Sequence, residues 1–153
     1  MSLKEKIESL GLTLPVAALP VAAYVPAVKT GNLVFVAGQL PLVDGKIVKE
    51  GKVGKEVTPE EAKEMAQVCA LNALAAIALV ADIDQIERIS RVGGFVNGIP
   101  GFFAIPPIIN GASELFIKLF GEVNGKHART AIGVAELPLN APVEVEVLVQ
   151  LKS

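Results

Sequence analysis

The chain has 153 residues, 52% of them hydrophobic and 20% charged, enough for one domain that buries roughly 70% of its unfolded surface without a staple. That composition excludes a disordered chain, and a net charge of −2 leaves no basic surplus for a phosphate backbone, so nucleic acid is not an expected partner. One Cys and one His exclude an internal disulfide and an ordinary zinc site, while the apolar excess is of the kind a subunit interface absorbs.

Ser2–Leu10 sets Leu3, Ile7 and Leu10 at helical spacing, and Gly11 stops that short amphipathic helix. Leu14–Ala18 and Leu19–Ala23 repeat LPVAA in tandem, which reads as an extended lead-in on the surface. Residues 1–23 therefore precede the body of a single domain spanning 1–153. Pro15, Pro20 and Pro26 interrupt the uncharged stretch Leu14–Val28, and Lys4 and Lys6 are offset by Glu5 and Glu8. Neither a membrane span nor a secretory signal fits, and a soluble, cytoplasmic protein is expected.

Gly31-Asn32 between Val25–Thr30 and Leu33–Ala37 predicts a hairpin, and Asp44-Gly45 a second turn between Leu40–Val43 and Lys46–Val48. Thr58-Pro59-Glu60-Glu61 combines an N-cap, a first-turn Pro and a capping-box Glu. Ala62, Met65, Ala66, Cys69, Ala73, Ile77 and Val80 then recur at helical steps until Asp82, so one face of a long helix lies on a sheet. Ile86–Asn97 reads as a strand, with Gly93-Gly94 a bulge or a close backbone approach. Pro100–Asn110 reads as a Gly/Pro-rich loop, and Ser113–Phe120 as a short helix ended by Gly121. Arg129–Glu136 and Val143–Leu151 complete the strands. The order predicts a mixed sheet with two helices on one face.

In the last strand Val143, Val145, Val147, Val149 and Leu151 share the helix-covered face, leaving Glu144, Glu146, Leu148 and Gln150 on the other. In the preceding strand Arg129, Ala131, Gly133 and Ala135 share a face whose small residues leave room beneath a guanidinium. The segment His127-Ala128-Arg129-Thr130-Ala131-Ile132-Gly133-Val134-Ala135-Glu136-Leu137-Pro138, followed by Val143-Glu144-Val145-Glu146, resembles the C-terminal signature of the reactive-intermediate deaminase family. That family is also called Rid or YjgF-like, and some members carry the label of liver perchloric-acid-soluble endoribonuclease. Tyr24-Val25-Pro26-Ala27-Val28 leading into Gly31–Gln39 is similar to a second family segment.

The resemblance implies an α+β, chorismate-mutase-like fold, a homotrimer, and sites in the clefts between subunits. It further implies hydrolysis of small 2-enamine or 2-imine acids to 2-oxo acids and ammonia, with no metal or organic cofactor. A small 2-imino or 2-oxo acid is then the ligand. Arg129 takes the carboxylate-gripping position, for which a planar fork suits better than an ammonium, and Glu144 the position that orients water and passes protons. Backbone N–H groups near Gly38 and Ala131 complete the contacts, and Tyr24 reaches in from a neighbouring subunit. Ala37 and Ala131 stand where the family often carries hydroxyl or thiol side chains, and Gly94–Phe102 with the Pro106-Pro107 loop marks a distinct branch. A non-catalytic trimer that binds a carboxylate metabolite, and the ribonuclease label, remain the alternatives.

Plainer roles stand beside these. Arg129 could pair with Glu144 or Glu146 across strands, and Glu146 is the structural choice of the two. Tyr24 could be half-buried packing. His127 is either a general acid near neutral pH or a loop residue, Cys69 belongs to the inert core, and Phe102 and Phe103 line a pocket or anchor a loop.

Overall fold

A computed structural model describes all residues, 1–153. Helix α1 (Leu3–Ser9) opens on a capping box in which Ser2 and Glu5 satisfy each other's backbone, and it buries Leu3 and Ile7. The lead-in forms neither helix nor strand and bends at residues 21–24 before β1 (Ala27–Thr30), with Val16, Leu19, Val21, Tyr24 and Val25 exposed. Gly31, at φ +60°, turns β1 into β2 (Leu33–Gln39). The minor hairpin, β3 (Leu42–Val43) and β4 (Lys46–Ile47), turns on Asp44 and Gly45, at φ 51° and 79°. Two successive positive φ values are what a two-residue hairpin requires.

Helix α2 (Pro59–Ile77) has its capping box formed, the Thr58 hydroxyl accepting from the Glu61 N–H at 3.1 Å. Strand β5 (Ile86–Asn97), helix α3 (Ile105–Asn124), β6 (Ala128–Val134) and β7 (Val143–Leu151) follow. The sheet order is β1-β2-β7-β5-β6, with β5 and β6 parallel and every other pair antiparallel. This is a mixed sheet, and α3 is the crossover between its two parallel strands. Helices α2 and α3 lie on the face that carries Val34, Val36, Val92, Val96 and the β7 valines. The α+β architecture expected from the sequence is present, with α1 as a third helix. No helix is long and apolar enough to cross a membrane.

One expectation needs correction, and one pair of alternatives is decided. Residues 105–110 of the supposed loop are the start of α3, which runs on past the supposed stop as far as Asn124. Pro106 and Pro107 sit in the first turn, where a missing N–H costs nothing. Gly121, at φ 83° and ψ 173°, interrupts the helix with one further turn beyond it, so the stop signal is real but incomplete. Gly93-Gly94 is no bulge. The register of β5 shifts earlier, between Ile86 and Arg88 and again between Ile89 and Arg91. The pair marks close approach instead: a Cβ on Gly93 would meet the Glu146 side chain, and one on Gly94 would meet Ile109.

Candidate active site

Strand β6 is an edge strand, and its two faces see different surroundings. Thr130 lies on the outer face, where its hydroxyl accepts from Arg91 Nη2 at 3.1 Å. Arg91 Nη1 also stands 3.8 Å from Glu146 Oε1, so that guanidinium is already neutralised. Arg129 lies on the other face, against α3. Its Nη1 donates to Asn110 Oδ1 at 2.7 Å and to Ser113 Oγ at 3.3 Å. Both partners are neutral, and no carboxylate pairs with Arg129. The guanidinium is held in place by groups that leave its charge free for an anion.

Asn110 and Ser113 are three residues apart on α3, hence on one helical face. Ser113, 8% exposed, lies 2.8 Å from His127 Nε2, and His127 Nδ1 lies 2.7 Å from the Gly125 carbonyl. A carbonyl only accepts, so Nδ1 carries the proton and Nε2 accepts from the Ser113 hydroxyl. The Phe116 ring meets the imidazole edge-on, centroids 6.2 Å apart. Burial holds His127 below the ordinary imidazole pKa and the Arg129 charge adds to that effect, against the opposing bond to Gly125. Ser113, Ile117, Lys126, His127 and Arg129 line a cavity of about 250 Å³. A larger hollow of about 410 Å³ lies toward the other end of β6, and its one cation, Lys52, is spent on Asn97, the Ala135 carbonyl and Glu136.

Glu144 is half-buried on the outer face of β7. A bulge between Val36 and Gln39 sets two β2 residues against one of β7. Gly38 lies in that bulge, and a Cβ there would collide with the Glu144 carboxylate, so glycine is required for the carboxylate to sit where it does. Burial raises the Glu144 carboxyl above the ordinary range, and the nearby Glu146 charge raises it further. Gly38 and Glu144 are thus brought together. Arg129 is not brought to them: β5 separates β6 from β7, and the two side chains leave opposite faces of the sheet. A cross-strand pair between Arg129 and either Glu is therefore ruled out within one chain, and Glu146 takes the structural role through Arg91. Ala131 is partly buried against the core, on the face of Arg129. Tyr24 is 57% exposed and lies in the lead-in, just before β1.

Asn110 and Ser113 are the site residues that sequence reasoning missed. Their three-residue spacing is the signal, and it reads as one helical face only with a helix that begins at Ile105. Cys69 is fully buried and its thiol pushed well up, as an inert core residue should be. No group of three or more His, Cys, Asp or Glu side chains is placed to hold a metal ion.

Over residues 4–151 the chain matches the family described as YjgF/chorismate mutase-like, putative endoribonuclease. It is 40% identical over 148 residues to the protein TCP17 of Trypanosoma cruzi, covering 96% of this chain and 92% of that one. Among solved structures it is similar to Atu1372 of Agrobacterium tumefaciens, a protein of unknown function, at 40% identity and a TM-score of 0.88, with 99% and 92% of the two chains covered. It is also similar to a putative endoribonuclease of Shewanella oneidensis, at 28% identity and a TM-score of 0.92, covering 99% and 100%. With nearly the whole length matched, the chain belongs to the YjgF/chorismate mutase-like family.

Proposed function

We propose that the chain assembles as a cytoplasmic homotrimer and hydrolyses small 2-enamine or 2-imine acids to 2-oxo acids and ammonia in clefts between subunits. The observation that carries this reading is the Arg129 guanidinium, held by neutral partners beside an open cavity with its charge unspent. A bidentate carboxylate satisfies such a fork as no neutral group does.

Assembly is supported by the outer sheet face, which no helix covers and which leaves Val28, Phe35 and Ile132 close to half exposed. A site divided between two subunits also accounts for Arg129 and Glu144 leaving opposite faces. In the trimer, Glu144 of one subunit orients water over a substrate held by Arg129 of the next, and burial lets its carboxyl hold a proton more readily than an ordinary carboxylate does. Backbone N–H groups near Gly38 and Ala131 hold the substrate's oxygens, and Tyr24 positions it. Water attacks the imine carbon, the carbinolamine forms, and ammonia leaves as the carbonyl closes. Hydrolysis of this kind consumes water alone and needs no cofactor.

A second reading is a trimer that binds the carboxylate without turnover, favoured by Ala37 and Ala131, which supply no hydroxyl. The deciding experiment follows ammonia or 2-oxo acid release from imines generated in situ by an amino-acid oxidase. Acceleration by wild type that is lost in Arg129→Ala supports the deaminase. Calorimetric binding of 2-oxobutyrate without acceleration supports the second reading. RNA cleavage that depends on Arg129 would overturn both in favour of the family's ribonuclease label.

A further inference from the structure

We propose that Ser113 and His127 form a proton-transfer pair for the substrate held on Arg129, and that Asn110 positions the guanidinium for it. The proposal rests on the deaminase reading and adds three residues to that site. Three hydrogen bonds link Asn110, Arg129, Ser113 and His127, and the last three of these residues line one cavity. The Gly125 carbonyl fixes the imidazole tautomer, so the bare Nε2 faces the hydroxyl, and the hydroxyl borders the space beside the carboxylate anchor. A half-buried His beside an Arg, its pKa held below the ordinary value by burial, is a base placed to accept one proton.

The reaction needs such a pair twice. When water adds, the C–O bond forms, the C=N double bond becomes single, and one proton passes from oxygen to nitrogen. When the carbinolamine collapses, its hydroxyl gives a second proton to nitrogen, the carbonyl forms, and the C–N bond breaks to release ammonia. In each stage the Ser113 oxygen takes the proton as its own moves to His127 Nε2, and the reverse shift delivers one to nitrogen. Nothing is left over. Ser113 is the group that meets the reacting atoms, and His127 acts through it.

The charged groups facing His127 are Arg129 on β6, Arg88 on β5 and Lys126 in its own loop, the last paired with Glu122 of α3 at 2.8 Å. No carboxylate of the same chain lines either groove beside the imidazole, so nothing there offsets the charge of a protonated His127, and its protonation contributes a limb on the acid side of the rate profile.

The test measures imine hydrolysis from about pH 5 to 8, the range in which histidine changes charge, alongside 2-oxobutyrate binding by calorimetry. His127→Asn keeps a donor for the Gly125 carbonyl and removes Nε2. It should lower turnover by about 10²-fold and remove the His127 part of the acid limb, shifting its midpoint, with 2-oxobutyrate affinity within about threefold of wild type. Ser113→Ala, a smaller change less prone to disturb folding, should lower turnover to a similar degree. Asn110→Ala should weaken 2-oxobutyrate by roughly tenfold and keep the acid limb, the loss expected for one hydrogen bond to a charged group. Wild-type rate and an intact acid limb in both His127→Asn and Ser113→Ala overturn the pair while leaving the deaminase standing. Binding of 2-oxobutyrate by wild type with no imine hydrolysis refutes the deaminase, and the pair falls with it.

Discussion

Arg91 and Arg129 occupy neighbouring strands of one sheet, and only Arg129 is without a carboxylate partner. Arg91 points outward, opposite Glu146 and beside Thr130, so its charge is answered within the chain. Arg129 points to the helix layer, where Asn110 and Ser113 fix the fork without a counter-charge. An arginine becomes a binding group through what its neighbours leave undone, and the face of the strand decides the neighbours. The two regions also differ in burial partners. The outer face keeps apolar side chains exposed, as an assembly surface does, whereas the inner edge keeps a polar cavity.

The comparison is broken most severely at the outer face. Phe35→Glu places a charge beside Arg91 and Glu146 on the surface assigned to the proposed trimer. Light scattering should report the mass of a single subunit, and imine turnover should vanish because Glu144 and Arg129 of different subunits no longer meet. Binding of 2-oxobutyrate at Arg129, which one chain builds alone, should survive in weakened form. A trimer that persists would deny this face its role in assembly.

The arginines themselves come next. Arg129→Ala should cut turnover by about 10²–10³-fold, the scale for removing a positioned charge, and Arg129→Lys should recover only part, since an ammonium keeps the charge and loses the fork. Arg91→Ala should cost less than about 1 kcal/mol of stability, as a half-exposed pair does, and leave turnover within about fivefold. Equal losses from both would erase the distinction between the two faces.

Much of this was legible before any coordinates. The Thr58 capping box, the hairpin turns and the alternation of β7 each rest on interactions within a few residues, and each formed as read. The start of α3 was not legible, because Pro106, Pro107 and Gly111 look like breakers. Their reasons are tertiary. The prolines occupy a first turn, and Gly111 lies where the Lys63 carbonyl of α2 leaves no space for a Cβ. With that helix hidden, Asn110 and Ser113 could not be seen beside Arg129. The separation of Arg129 from Glu144 was hidden for another reason. Alternation assigns faces within a strand, but only the insertion of β5 between β6 and β7 relates the faces of two strands.

The smallest effects sharpen the contrast through pH. Glu144 has a raised pKa, chiefly from burial and then from Glu146, so the folded chain resists its charge. It lowers stability above its unfolded pKa, and that deficit disappears as acid protonates it in both states. His127 has a lowered pKa, chiefly from burial and then from Arg129, so the folded chain resists protonation. It costs nothing at neutral pH and destabilises as pH falls through its unfolded value toward its folded one. Glu144→Gln should therefore raise Tm at pH 7 by no more than about 2–4 °C, the equivalent of ~1 kcal/mol at most for a half-exposed group. The gain should fade toward pH 4, near the ordinary carboxylate value. His127→Asn should show no benefit of that origin at pH 7 and a growing one below the ordinary imidazole pKa of about 6.5. Thermal melts of the two variants across that range should diverge from wild type at opposite ends. Curves that diverge at the same end would mean that one of the two groups is solvated like a surface residue, and that the faces are less distinct than their side chains make them.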